Sequence, residues 1–283
     1  MLLKLLLGLA IGGALAWYGH RSRFLLVGGA VAILIVHLFA LLAGGWVWLI
    51  PLVVLTVSAN LWSRYRAADK AANLERNPRG PAHGWIQVAA RFTWPVALTL
   101  LYLRGSEKTG IFAAFIGAVA ASAADIWATE IGVLSAEKPR LMVPRRSVPA
   151  GTPGAISMLG IAAGFGAAWL VGFVGLLAVS VEAWLMRLTL ATRLQWLPLA
   201  ATLGGMMGCL TDSLLSATAQ GTFFCEHCNV HTEKRIHACG NKTIQVRGWP
   251  WLTSEGIDLI ASLVGAAVTV GISVWLAQSG ARW

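Results

Sequence analysis

The sequence predicts an all-α polytopic membrane protein: a bundle of about eight transmembrane helices with site loops on the cytoplasmic face. Of its 283 residues, 57% are hydrophobic and only 12% are charged, whereas soluble domains carry about 25% charged residues. The hydrophobic residues form eight runs, each close to the roughly 20 residues that a helix needs to cross the hydrocarbon core. The runs lack strand-like alternation of polar and apolar residues, which argues against a barrel.

The eight runs divide the chain into two regions. Residues 1–83 hold three spans and a basic loop. Residues 84–283 hold five spans and the polar motifs, including a Cys/His loop at 219–255. The first run resembles a secretion signal, but a basic segment and a second full span follow it, so we expect it to remain in the chain. The predicted spans are 2–17, 24–43, 45–62, 86–103, 110–132, 154–179, 197–218 and 256–278.

The basic residues predict the orientation. Fifteen of the 22 Lys and Arg residues fall in the connections after the first, third, fifth and seventh spans, and six fall on the other side. By the positive-inside rule those four connections are cytoplasmic and both termini are outside. We therefore expect a protein of the bacterial inner membrane. The net charge of +10 is explained by this topology and by attraction to anionic membrane lipid, and no motif supports nucleic-acid binding.

Carboxylates lie inside two predicted spans. Asp125 and Glu130 come near the end of the fifth span, and Asp212 interrupts the seventh. Each ionisable residue at bilayer depth costs roughly 2.5–3.5 kcal/mol on insertion scales, so we expect Asp125 and Asp212 to face each other across a polar cleft. Glu130 follows Asp125 by five residues and points about 140° away, so one metal shared by both requires a local distortion. A helix-packing network of polar side chains is the alternative.

Other polar side chains extend these sites. Thr129 lies one turn after Asp125 on the same helix face, and Ser213 and Gln220 accompany Asp212. Asp258 opens the last span, where an acid also serves as a partner of the helix dipole. Arg91, in the fourth span, either reaches the cytoplasmic interface or faces the acids.

The loop after the fifth span has the composition of a phosphate cradle. Arginine forks match phosphate oxygens, glycines let backbone amides converge, and the N-terminus of the following helix suits an anion. Thr152 is also a plausible N-cap. The alternative is that this segment only begins the next helix, and that its arginines only mark the cytoplasmic side of the membrane. The candidate residues are Arg145, Arg146, Gly151, Thr152, Gly154 and Ser157.

The loop after the seventh span holds three of the four cysteines. Cys225 and Cys228 form half of a zinc knuckle, and Cys239 with His231 or His237 completes a Cys3His set. Because a cytoplasmic loop keeps thiols reduced, a structural disulfide is not expected. Free thiols and a redox pair are the alternatives to structural zinc.

Three motifs, in order and spacing, resemble an integral-membrane domain-of-unknown-function family, number 92, which includes the plant phytyl-phosphate kinase. Residues 124–132 read ADIWATEIG and resemble the family's D-T-W-A-S-E-I-G. Residues 151–157 read GTPGAIS and resemble G-T-N-G-G-V-S. Residues 212–220 read DSLLSATAQ and resemble D-S-L-L-G-A-x-x-Q. The family's N-N-x-V-N segment is replaced by residues 254–258, SEGID, a departure that bears on nucleotide or lipid specificity.

The resemblance implies an isoprenoid phosphate as substrate, and the residues suggest the mechanism. We predict a membrane phosphotransferase that uses a nucleoside triphosphate, with Asp125, Glu130 and Asp212 as catalytic residues that hold Mg2+. Nucleotidyl transfer to a lipid phosphate would use the same parts. The alternatives are a transporter or flippase for an ion or lipid phosphate, and a membrane scaffold. The predicted substrate-binding residues are Thr129, Arg145, Arg146, Gly151, Thr152, Gly154, Ser157, Ser213, Gln220, Asn241 and Asp258.

Overall fold

The protein is described by a computed structural model that covers residues 2–73, 83–105, 108–187, 194–232, 235–237 and 239–279. Within these ranges most residues are helical, which confirms the predicted fold class. The helices are α1 (Leu2–Arg21), α2 (Val27–Gly44), α3 (Trp46–Arg64), α4 (Ala67–Asn73), α5 (Trp85–Arg104), α6 (Lys108–Gly132), α7 (Met158–Leu185), α8 (Leu197–Thr218) and α9 (Ser254–Gln278).

Seven of the described helices are long and apolar enough to cross a membrane: α1, α2, α3, α5, α6, α7 and α9. The predicted count of eight included α8, whose 22 residues also suffice in length. Its glycines, hydroxyl residues and Asp212 lower its hydropathy. Because α8 packs against α6, α7 and α9, much of it faces protein, where a less apolar surface is tolerated.

Helix α6 is the centre of the bundle. It packs against α5, α7, α8 and α9. In its most apolar stretch of 18 residues, 83% of the residues are buried. Small residues allow this close approach. A Cβ added at Gly117 of α6 would lie 2.4 Å from the carbonyl oxygen of Gly265 in α9, and one at Gly204 of α8 would lie 2.6 Å from the same oxygen. The backbones of α6, α8 and α9, the three helices that carry the intramembrane aspartates, therefore lie very close together.

Two loops contain short strands that the sequence did not predict. In the loop after α6, β1 (Arg140–Leu141) pairs antiparallel with β2 (Ala155–Ile156). In the loop after α8, β3 (Thr222–Cys225) lies between β4 (Val230–Thr232) and β5 (Ile244–Arg247) in an antiparallel sheet. Both loops leave a helix C-terminus and return to the N-terminus of the next helix. Together with the start of α5, they occupy one end of the bundle.

Candidate active site

Four charged side chains reach the same depth in the bundle from four helices. Asp125 is seven residues before the end of α6, and Asp212 is six before the end of α8. Asp258 is four residues after the start of α9, and Arg91 is six after the start of α5. At 1.5 Å per residue, all four lie about 6–11 Å inside the helix ends. Alternating helix directions thus bring charges from distant sequence segments into one layer.

The three aspartates form a compact carboxylate cluster. One carboxylate oxygen from each of Asp125, Asp212 and Asp258 lies within 4.8 Å of the other two, and all three residues are partly buried. The structure therefore brings Asp125 and Asp212 together, as expected for a shared cleft. It also adds Asp258, which the sequence suggested only as a substrate-binding residue, because nothing in a first-turn acid distinguishes a dipole partner from a site residue.

Arg91 faces the carboxylate cluster. Its Nε donates to Oδ2 of Asp258 at 3.2 Å, and its Nη2 lies 3.7 Å from Oδ2 of Asp125. The Ser216 hydroxyl donates to Oδ1 of Asp212 at 3.3 Å. With all three aspartates ionised, one arginine leaves a net charge of −2, the charge that a single divalent cation would neutralise. Carboxylate oxygens are the ligands that Mg2+ prefers, so the donor set fits this ion.

The structure does not bring Glu130 together with Asp125 and Asp212, since Glu130 lies outside the carboxylate cluster. Its Oε2 accepts from Nζ of Lys70 at 2.8 Å, and the side chains are 16% and 6% exposed. Lys70 also donates to the backbone carbonyl of Trp62. The helix does not loosen between Asp125 and Glu130, so the five-residue offset turns Glu130 toward α4. The sequence placed Lys70 only among the basic loop residues, so this pair was missed.

The glycine loop docks on α8 instead of standing free. Gly154 has a φ of +76°, and a Cβ there would lie 2.3 Å from the backbone nitrogen of Ala217 and 2.6 Å from the carbonyl oxygen of Ser213. Gly151 also has a positive φ, +80°. The loop can reach the end of α8 because Gly154 has no side chain. It therefore lies beside the helix that carries Asp212.

The N-cap of α7 is Ser157, which corrects the suggestion that Thr152 caps this helix. The Ser157 hydroxyl accepts from the Gly160 backbone N–H at 3.1 Å and donates to the Gly132 carbonyl at 3.2 Å, joining the end of α6 to the start of α7. Thr152 donates to the Pro149 carbonyl at 2.7 Å within the loop. One of the helix N–H groups proposed for phosphate is thus occupied by the cap.

Arg247 of the second loop contacts the end of α8, and Arg146 of the first loop lies close enough to Arg247 to affect its charge. Arg145 and Arg146 are exposed in the first loop. Arg247, on β5 of the second loop, donates through Nη2 to the Ser216 carbonyl at 3.0 Å, and its buried Nε has no hydrogen-bond partner. Burial and the nearby positive charge of Arg146 lower the pKa of Arg247. No sequence signal distinguished Arg247, since it stands in a short strand without a motif.

The remaining predicted substrate-binding residues are distributed around these groups. Thr129 is exposed. Gln220 is buried and pairs through its backbone with Trp249, closing the base of the second loop. Asn241 lies in that loop, where its Nδ2 is 3.5 Å from Sγ of Cys239. Asn241 therefore contacts the cysteine group instead of the aspartates.

The second loop also brings four metal-ligating residues together. Ligand atoms of Cys225, Cys228, His237 and Cys239 lie within 4.8 Å of one another. His237 belongs to this group, whereas the side chain of the other candidate, His231, lies outside the part of the chain that the structure describes.

The fold and the clustered charges define a polytopic integral membrane protein with a carboxylate site at one end of its helix bundle. Residues 10–266 match the model of the integral membrane protein family DUF92, and the chain belongs to that family. It is 26% identical over 286 residues to Protein PGR of Arabidopsis thaliana, covering 96% of this chain and 97% of that protein. It is 30% identical over 233 residues to an uncharacterized membrane protein of Methanocaldococcus jannaschii, covering 81% and 90%. No solved structure matches the chain.

Proposed function

We propose that the chain is a membrane phosphotransferase that moves a phosphoryl group from a nucleoside triphosphate to an isoprenoid-alcohol phosphate. The supporting observation is the cluster of Asp125, Asp212 and Asp258 around Arg91. We place this end of the bundle at the cytoplasmic face of a bacterial inner membrane, because its loops hold most of the basic residues.

Asp125, Asp212 and Asp258 would hold Mg2+. Asp258 would be the third ligand, the role that the sequence predicted for Glu130. Magnesium sites in proteins usually combine one or two carboxylates with water and substrate phosphates, and a partly buried group of three provides such ligands. The ion would neutralise charge on the transferring phosphates. Arg91 keeps Asp125 and Asp258 oriented when no substrate is present.

The arginines at the end of α8 would bind the polyphosphate. Arg247 has an unused Nε and is held by Ser216, the residue that also contacts Asp212. Arg145 and Arg146 are exposed on the adjoining loop. Guanidinium groups bind phosphate oxygens in pairs, so these residues would place the γ-phosphate beside the carboxylate layer.

The reaction needs no strong general base. An oxygen of the lipid phosphate forms a bond to the γ-phosphorus while the bond to the leaving nucleoside diphosphate breaks. Because a phosphate monoester has a second pKa near 6, the attacking oxygen is already ionised at neutral pH. The carboxylate layer lies about 6–11 Å inside the helix ends. A lipid head group could reach that depth while its tail stays in the bilayer.

The position of the other acids argues against the transporter alternative. Glu182 lies 24 residues into α7, about 36 Å along the helix from the end that holds the cluster. A carboxylate relay across the bundle would need intermediate acids, and between these two levels the described helices carry none.

The test is turnover by the purified protein in lipid nanodiscs, with prenyl phosphate, nucleoside triphosphate and Mg2+. Asp212→Asn removes the charge but keeps the size, and we expect activity to fall by orders of magnitude because the metal loses a ligand. Glu182→Gln makes the same chemical change far from the cluster and should keep activity. Undiminished turnover by Asp212→Asn would refute the mechanism. Loss of a pH-dependent flux in liposomes without nucleotide binding would establish the transporter instead.

A further inference from the structure

The second loop gathers three cysteines and one histidine around a common point. Sγ of Cys225 and Sγ of Cys239 are 3.7 Å apart, and Nδ1 of His237 lies 3.2 Å from Sγ of Cys239. All distances between the four ligand atoms, including Sγ of Cys228, stay within 4.8 Å. These residues come from three places in the loop: the end of β3, the turn after it, and the segment before β5.

The spacing fits a tetrahedral ion. Zinc binds sulfur at about 2.3 Å and histidine nitrogen at about 2.0–2.1 Å, so ligand atoms on a tetrahedron are roughly 3.5–3.8 Å apart. The distance of 3.7 Å between the Sγ atoms of Cys225 and Cys239 agrees with this tetrahedral spacing. It exceeds the roughly 2.05 Å of a disulfide bond. The geometry therefore suits a shared cation better than a cystine.

Hydrogen-bond donors surround this point. The side-chain amide of Asn241 donates to Sγ of Cys239 at 3.5 Å. Donors of this kind commonly support thiolate and histidine ligands from outside the ligand set.

We propose that Cys225, Cys228, His237 and Cys239 bind one structural zinc ion. With four protein ligands the site is closed, which is typical of a structural ion and not of a catalytic one. The proposal does not depend on the phosphotransferase reaction.

Among its described residues the second loop has little hydrophobic core, and the zinc would stabilise it. Ile244 and Val246 of β5 are 54% and 56% exposed, whereas Phe223 and Cys225 of β3 are buried. A small sheet with so few buried side chains needs an additional cross-link. Because β3 pairs directly with β5, an ion fixed at Cys225 also fixes the strand that carries Arg247.

The experiment measures metal in the full-length protein after tag removal and dialysis against a mild chelator. We expect one zinc per chain by mass spectrometry. Replacement by Co2+ should give the intense sulfur-to-metal absorption of a tetrahedral thiolate site. Cys225→Ser and His237→Ala should lose most of the metal. The matched controls, Cys209→Ser in α8 and His20→Ala at the end of α1, should keep it.

A second measurement uses the wild-type protein, so it remains informative if the variants do not fold. Thiol alkylation of the wild-type protein should leave Cys225, Cys228 and Cys239 protected until a strong chelator is added. Three freely alkylated thiols without zinc, or a mass two units lower that reveals a disulfide, would overturn the proposal. An active enzyme without zinc would overturn this inference alone, and a zinc-loaded protein without activity would leave it intact.

Discussion

At the scale of single residues, the buried charges form two separate groups: the carboxylate cluster with Arg91, and the Lys70–Glu130 pair. The cost of burying a charge in lipid pointed to Asp125 and Asp212, and their carboxylates do lie in one cluster. The same reasoning could not assign Glu130, because its partner Lys70 comes from a helix 60 residues earlier in the chain. Pairings over such distances depend on how helices pack, and helical periodicity gives only the direction of each side chain.

The first residue-scale prediction concerns the Lys70–Glu130 pair. Glu130→Gln removes the charge opposite a lysine whose side chain is 6% exposed, and breaking a buried pair on one side costs about 3–5 kcal/mol. Since Glu130 is 16% exposed, we expect about 1–3 kcal/mol of destabilisation. The measurement is thermal unfolding in detergent. The Mg2+ concentration for half-maximal activity should not change.

The matched control for this pair is the double variant Lys70→Met with Glu130→Gln. It removes both charges and should recover much of the lost stability, because no uncompensated charge remains. If Glu130→Gln instead leaves unfolding unchanged and raises the Mg2+ requirement tenfold or more, then Glu130 is a metal ligand and the cluster described above is incomplete.

At the scale of elements, the helices were predictable and the strands were not. Runs of about 20 apolar residues fix the approximate place of each span, because the bilayer sets the length. Strands of two to four residues, such as β1 and β5, are too short for alternation to be read. The docking of the glycine loop on α8 was also missed, because the sequence shows a glycine but not what approaches it.

The element-scale prediction tests this docking. Gly154→Ala places a Cβ at a φ of +76° and 2.3 Å from the backbone of Ala217. The left-handed conformation alone costs about 1–2 kcal/mol for an L-residue, and the clash must also move the loop. We expect lower thermal stability and a loss of activity greater than tenfold, since the loop lies beside Asp212.

Gly166→Ala is the control for the glycine substitution. Gly166 lies in α7 with open space around the position of a Cβ, so the added methyl should raise helix propensity and leave activity unchanged. Equal thermal stability and equal activity of Gly154→Ala and Gly166→Ala would contradict the close contact between the first loop and α8.

At the scale of the whole molecule, three features coincide at one end of the bundle. The carboxylate cluster, the basic loops and the cysteine group all belong to the end where α6 and α8 finish and α7 and α9 begin. The sequence could predict this coincidence, because alternating spans put every second connection on the same side. It could not predict the depth of the cluster, which depends on where each helix actually ends.

The last prediction tests the orientation of that end. The basic loops should be cytoplasmic, because Lys and Arg accumulate on the inner side of the membrane. Ser147 lies exposed in the first loop, and Ser279 follows the opposite end of α9. In intact spheroplasts, a membrane-impermeant maleimide should label Ser279→Cys but label Ser147→Cys only after lysis. The two cysteine variants control for each other, since both are exposed serines at loop or helix-end positions. The reverse pattern would place the carboxylate cluster on the outer face, away from cytoplasmic nucleotide, and would exclude the proposed phosphate donor.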